Sequence, residues 1–401
     1  MFNNNYNPVI NRTVLEIKPS GIRKYFDLLD DDCISLGVGE PDFPTPDNIR
    51  HAAAEEIYAN RIPYTANAGM PRLRQLVIDY IAERFGLTGY EIPNSLITAG
   101  AGHATDLAFR VAINPGDEVI YTEPTYVTYE PGIRLAGGVP VPVQTDAAHR
   151  FKLTPEALRA AITPKTRVLL LSYPTNPTGG IMEKADLEAI AAVIRETNIT
   201  VISDEIYAEL TYNGKRHVSI ASMPGMRERT IVINGFSKAF SMTGWRLGFA
   251  VGPVEYISMM TKIHQLTMLC APTTAQLAGC YALEQGFANN WADVRTMIDE
   301  YDRRRQYLIG EFNRLGLTCA DPEGAFYAFP SIECSGLGCG EFCEQLLARK
   351  KVLVIPGDAF GDAGRLHVRA CYATSMEDLH EAVRRIEEFL LELSRKKRVY
   401  R

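Results

Sequence analysis

Short apolar runs bounded by turn residues recur along the chain, with stretches of helical spacing between them. Val119-Ile120-Tyr121, Val168-Leu169-Leu170-Leu171, Val201-Ile202, Ile231-Val232-Ile233 and Leu247-Gly248-Phe249-Ala250-Val251 read as strands, and Lys184 to Glu196 reads as a helix. Runs that are apolar throughout predict strands covered on both faces, and hence an α/β fold with a largely parallel sheet whose ligands gather at the strand carboxyl ends. From about Asn290 the pattern changes to long charged helices, Asp293 to Leu315 and Met376 to Leu393, around short strands near Phe326-Tyr327 and His367-Val368-Arg369. That change predicts a smaller α+β domain. The Asn-rich first fifteen or so residues read as an arm.

A chain of 401 residues is long enough for one large domain and a smaller one. Its net charge of -6, from 42 basic and 48 acidic side chains, offers no basic surface for nucleic acid, so small anionic ligands must be met by local charges. No stretch approaches the roughly 20 apolar residues of a membrane span, and the start lacks the basic and apolar regions of a signal peptide, which predicts a cytoplasmic protein. The eight cysteines are sparse and irregularly spaced, as expected of reduced thiols. Cys334, Cys339 and Cys343 cluster without a nearby His or a Cys-x-x-Cys pair, so no metal site is expected.

The candidate chemistry follows the apolar runs. Gly235-Phe236-Ser237-Lys238-Ala239-Phe240, then Met242-Thr243-Gly244-Trp245-Arg246, place an amine, a hydroxyl and a guanidinium on one loop between two core strands. An aldehyde cofactor bearing a phosphate needs that set, which points to pyridoxal phosphate. Asp204 ends a strand, with Tyr207 three residues on, where a turn starting a helix would put both on one face. Asp204 reads either as a helix N-cap or as a carboxylate held against a pyridinium nitrogen, with Tyr207 on the ring oxygen. Asn176, in Ser172-Tyr173-Pro174-Thr175-Asn176-Pro177-Thr178-Gly179-Gly180, is either part of a proline-fixed turn or an amide donor to the same oxygen and to a substrate carboxylate. Ala101 and Gly102 open a helix whose free N–H groups suit a phosphate. Gly100-x-Gly102 with Glu123 also resembles a dinucleotide fingerprint, but Thr105 stands where the third glycine belongs. Tyr126 follows a strand at the ligand edge. Arg369 lies within an apolar strand, either turned to solvent or buried as a fork for a carboxylate.

Together these stretches resemble the class I/II aminotransferases of the pyridoxal phosphate fold type I superfamily, along with Pro19-Ser20-Gly21-Ile22-Arg23, Leu36-Gly37-Val38-Gly39-Glu40-Pro41-Asp42-Phe43, Tyr64-Thr65, Asn114-Pro115-Gly116-Asp117-Glu118 and Gly324-Ala325-Phe326-Tyr327. The pattern is similar to the broad-specificity aspartate/aromatic subgroup. The resemblance implies a large domain with a seven-stranded, mostly parallel sheet and a small domain built from both chain ends. On this chain that gives an arm over 1–15, small-domain parts at 16–48 and 290–401, and a large cofactor domain over 49–289.

It further implies that Lys238 forms the Schiff base and shuttles a proton, and that Asp204 pairs with the pyridinium. Tyr207 and Asn176 would serve the ring oxygen, and Tyr126 would stack on the ring. Ser237, Arg246 and the amides of Ala101 and Gly102 would hold the phosphate, with Tyr64 reaching in from a second subunit of a homodimer. Gly39 and Arg369 would bind the substrate carboxylate. The implied reaction is ping-pong transfer of an amino group from an L-amino acid to a 2-oxo acid. Three departures stand out: Gly102 where some bacterial aspartate aminotransferases carry lysine, Tyr126 in place of tryptophan, and Cys371 in place of serine. A carbon-sulfur β-lyase shares the same Lys, Asp and Arg constellation and is the alternative reading. A non-catalytic cofactor-binding regulator would need an added DNA-binding module.

Overall fold

The computed structural model describes residues 9–18, 21–22, 32–59 and 61–399. Of the Pro19-to-Arg23 motif, only Gly21 and Ile22 fall among them, and residues 1–8 of the expected arm lie outside. The strands in chain order are β1 (Ile34–Ser35), β2 (Ser95–Thr98), β3 (Glu118–Glu123), β4 (Val139–Gln144), β5 (Thr166–Ser172), β6 (Thr200–Asp204), β7 (Thr230–Gly235), β8 (Gly248–Val251), β9 (Tyr327–Ala328), β10 (Val352–Leu353), β11 (Ile355–Pro356) and β12 (Val368–Cys371).

Among the described residues, seven strands form the main sheet in the order β2-β8-β7-β6-β5-β3-β4, and β8 alone runs antiparallel to its neighbours. The apolar runs are explained by cover on both faces. Val168, Leu170, Val119 and Tyr121 join a core with Leu107 and Phe109 of the helix Ala101–Ala112, whereas Leu169, Leu171 and Ile120 join one with Leu187 and Ile190 of the helix Lys184–Arg195. Alternate side chains of one strand are thus spent on opposite layers.

This topology gathers the candidate residues at one edge. The parallel strands β5, β6 and β7 end side by side, with Ser172 beside Asp204 and Asp204 beside Ile233. Because β8 is reversed, its first residue, Gly248, lies next to both Gly235 and Thr98, the last residues of β7 and β2. The segments after β2, β3, β5, β6 and β7 and the segment before β8 therefore meet.

The smaller α+β unit holds a three-stranded sheet, β11-β12-β9, and the pair β1-β10, under the helices Ala292–Arg314, Cys339–Lys350 and Met376–Val399. Its core joins Tyr327, Val368, Phe342 and Phe389 to Leu36, residues some 300 positions apart in the chain. Ile34 pairs with Val352 in parallel, and Leu36 donates its amide to the Leu353 carbonyl at 2.9 Å. No helix among the described residues is long and apolar enough to cross a membrane.

Candidate active site

Lys238 lies on the one-turn helix Phe236–Ala239 that leaves β7. The sequence reading placed it on a loop; four residues of helix turn its side chain into the cleft, where the Nζ donates to the Gly39 carbonyl at 2.6 Å. Burial, with Arg369 and Arg246 acting in the same direction, lowers the amine to about 8 against the pull of Cys371 and Glu40. A lysine so displaced titrates close enough to neutrality to exchange protons there.

Asp204 is buried at the end of β6. Its Oδ2 accepts from the Tyr129 hydroxyl at 2.8 Å and its Oδ1 from the Ile206 amide at 3.1 Å. Among the described residues no cation pairs with it. Burial therefore dominates over both donors and raises the carboxyl to about 6. The N-cap alternative fails because residues 206–209 form a turn that does not continue into a helix. The same turn carries Tyr207, whose buried hydroxyl lies 2.8 Å from that of Tyr327.

Arg369 settles its own alternative, being buried on β12 instead of facing solvent. Its Nη1 donates to Asn176 Oδ1 at 2.9 Å and its Nη2 to the Gly37 carbonyl at 2.6 Å, while Nε has no partner among the described residues. The guanidinium packs on two aromatic rings, 4.5 Å from the centroid of Tyr327 and 4.8 Å from that of Phe360. None of its partners is a carboxylate. Asn176 is itself buried.

The helix Ala101–Ala112 starts at Gly100, whose φ of 86° only glycine adopts readily. A Cβ there would also meet Arg246 Nη2 at 2.6 Å. The glycine thus lets a guanidinium approach the exposed N–H groups of Ala101 and Gly102, which makes a cradle for an anion. Arg246 is exposed, Ser237 is buried on the lysine helix, and a side chain on Gly102 would point into open space. Glu123, the acid of the dinucleotide alternative, is occupied by Tyr121, Gln144 and the Asp362 amide.

Tyr126 is 38% exposed and meets Tyr129 edge-on at 5.6 Å. Tyr64 is 81% exposed. Gly39 needs its missing side chain, because a Cβ would lie 2.3 Å from the Tyr327 hydroxyl.

The donor set fits pyridoxal phosphate: an amine beside neutrality, a buried acid lacking a cation, a buried guanidinium lacking an anion, and a helix start for a phosphate. Sequence reasoning missed Tyr129 and gave Tyr327 no task. The spacing of Tyr126 and Tyr129 after β3 was the available signal for the first, and only the fold brings the second to Tyr207.

A model of the family described as aminotransferase class I and II matches residues 31–386. YugH of Bacillus subtilis is 49% identical over 380 residues, covering 94% of this chain and 97% of its own. The aspartate aminotransferase of Pyrococcus abyssi is 41% identical over 378 residues, covering 94% and 97%. Among solved structures, the aromatic aminotransferase of Pyrococcus horikoshii OT3 superposes with a TM-score of 0.87 at 40% identity, over 92% of this chain and 99% of that one.

Proposed function

The chain belongs to the class I and II aminotransferases, pyridoxal phosphate enzymes of fold type I, and from that premise we propose which residues carry the reaction and on which substrates. When bound, the cofactor supplies an aldehyde that condenses with amines and a pyridinium ring that takes up the electron pair left when an α-proton departs. The observation that carries the assignment is a pair of buried charges without counter-ions, Asp204 and Arg369, both within electrostatic reach of Tyr126. An isolated buried charge is costly, and each of these is compensated by a different part of a cofactor–amino acid pair.

Asp204 holds the ring nitrogen protonated, with Tyr129 fixing the carboxylate. Arg369 takes the substrate α-carboxylate, its guanidinium held flat by Tyr327 and Phe360 and its Nη1 anchored on Asn176. Lys238 would attach the cofactor, giving up its bond to the Gly39 carbonyl, and would move the α-proton once the substrate amine has displaced it. Tyr207 and Asn176 serve the ring oxygen, and Tyr126 covers the ring face. Ser237, Arg246 and the amides of Ala101 and Gly102 hold the phosphate.

The donors we assign are acidic and aromatic L-amino acids. Gly102 supports this breadth, since it leaves open space where a longer residue would select. In the absence of any 2-oxo acid, aspartate and tyrosine should each bleach the visible absorbance of the loaded enzyme with one equivalent of keto acid formed. A spectrum indifferent to every amino acid would refute the assignment.

We also assign a homodimer with shared sites. Ile62, Tyr64, Leu266, Met268 and Leu269 are exposed, and the two segments are tied together by Asn67 donating to the Leu269 carbonyl at 2.9 Å. Exposed apolar side chains on two joined segments are suited to a second copy. Mixing inactive Lys238→Ala protein with Tyr64→Ala protein at a cofactor concentration too low to load the latter should restore up to about a quarter of wild-type activity, because a hybrid dimer carries one intact site. No recovery after refolding the mixture would argue for sites contained in single chains.

A further inference from the structure

Tyr327 contacts two of the residues assigned above and crowds a third. Its hydroxyl lies 2.8 Å from that of Tyr207, and its ring stacks 4.5 Å from the Arg369 guanidinium. The same hydroxyl sits where a Gly39 side chain would be, on the residue whose carbonyl receives Lys238. Tyr327 belongs to β9 of the small unit, paired with Cys371 two residues beyond Arg369, whereas Tyr207 follows β6 of the large one. The two rings meet edge-on at 5.8 Å, and both are buried.

We propose that Tyr327 is a positioning residue that links the carboxylate site to the cofactor ring: its hydroxyl donates to Tyr207 and strengthens the bond Tyr207 makes to the ring oxygen, while its ring holds Arg369. This rests on the functional reading given above. A phenol has one hydrogen. If that of Tyr207 goes to the ring oxygen, the 2.8 Å contact can be made only by the hydrogen of Tyr327, and hydrogen bonds in such a chain polarise one another. The titratable and charged groups facing the pair are Arg369 and Cys371 of β12, Tyr126 after β3, and Lys238, whose Nζ is 5.9 Å from the Tyr207 ring. None of them offers Tyr207 a second neutral donor among the described contacts.

The test separates the hydroxyl from the ring. In Tyr327→Phe the ring under Arg369 stays. The pH midpoint of the visible band of the loaded enzyme should rise by about half a unit to one unit, because a weaker donor on the ring oxygen leaves the neighbouring nitrogen more basic. The kcat should fall roughly five- to tenfold with KM for the amino donor within about twofold. Tyr327→Leu should in addition raise KM about tenfold, through loss of the contact to Arg369. In a Tyr207→Phe background, Tyr327→Phe should move the midpoint no further. An unmoved midpoint in Tyr327→Phe, or effects of the two variants that simply add, would overturn the link. A wild-type enzyme without a titrating visible band would instead overturn the functional reading, and this inference with it.

Discussion

Replacing Lys238 by alanine leaves a folded protein that does not transaminate. Turnover should fall by roughly 10⁴-fold, since the variant loses both the amine that attaches the cofactor and the group that moves the α-proton. Borohydride reduction should no longer fix cofactor at this position. The fold does not depend on the residue: its described polar contact is the single bond to the Gly39 carbonyl, and burial of its charge is unfavourable. Lowering the amine from 10.5 to about 8 means that the unfolded chain holds the proton more tightly than the native one. The apoprotein therefore gains stability as pH rises from about 8 to 10.5, and the alanine variant should lack that slope in urea titrations. Turnover within tenfold of wild type would remove Lys238 from the mechanism.

Asp204→Asn should separate stability from catalysis even more sharply. The amide cannot hold a ring proton by charge, and turnover should fall by about 10³-fold, the scale at which one preorganised electrostatic group is lost. The apoprotein should move the other way. A carboxyl raised from 3.8 to about 6 holds its proton more tightly in the native state, so its contribution to stability falls as pH rises through that window and is fully unfavourable above it. That displacement is worth roughly 3 kcal/mol, and the hydrogen bond the amide cannot accept takes back about 1 kcal/mol. At pH 7 the cofactor-free Asn variant should thus unfold about 2 kcal/mol harder than wild type, a difference absent at pH 4. Equal or lower stability at pH 7 would mean that Asp204 has a cationic partner in the free protein.

The sheet was legible because its strands are buried on both faces, which leaves unbroken apolar runs with no competing period. Ends of the helices came within a residue or so where charge and turn residues mark them, as for 184–195 and 292–314. The gathering of the residues after each run was legible because parallel strands deliver their carboxyl ends to one edge. Pairings across the chain were not. Nothing local in Leu36 or Gly37 announces contacts with residues 353 and 369, and nothing in Tyr327 announces a phenol 120 positions earlier. Arg369 was ambiguous for the same reason, since the rings and carbonyl that make its burial tolerable come from Tyr327, Phe360 and Gly37. The one-turn helix of Lys238 is too short to carry a period.

The pairing of β1 with β10 has a consequence for biosynthesis. Residues 34–37 leave the ribosome early, yet their partners in the sheet and the guanidinium held by Gly37 are 318 to 332 positions away. The large sheet, its helix start and its lysine are all translated before residue 252, so a nascent chain can in principle assemble the cradle while still tethered. The carboxylate fork cannot exist until the last strand, β12, has emerged and found the opening segment. A product ending before β12 thus carries the lysine without the guanidinium that we assign to the substrate carboxylate.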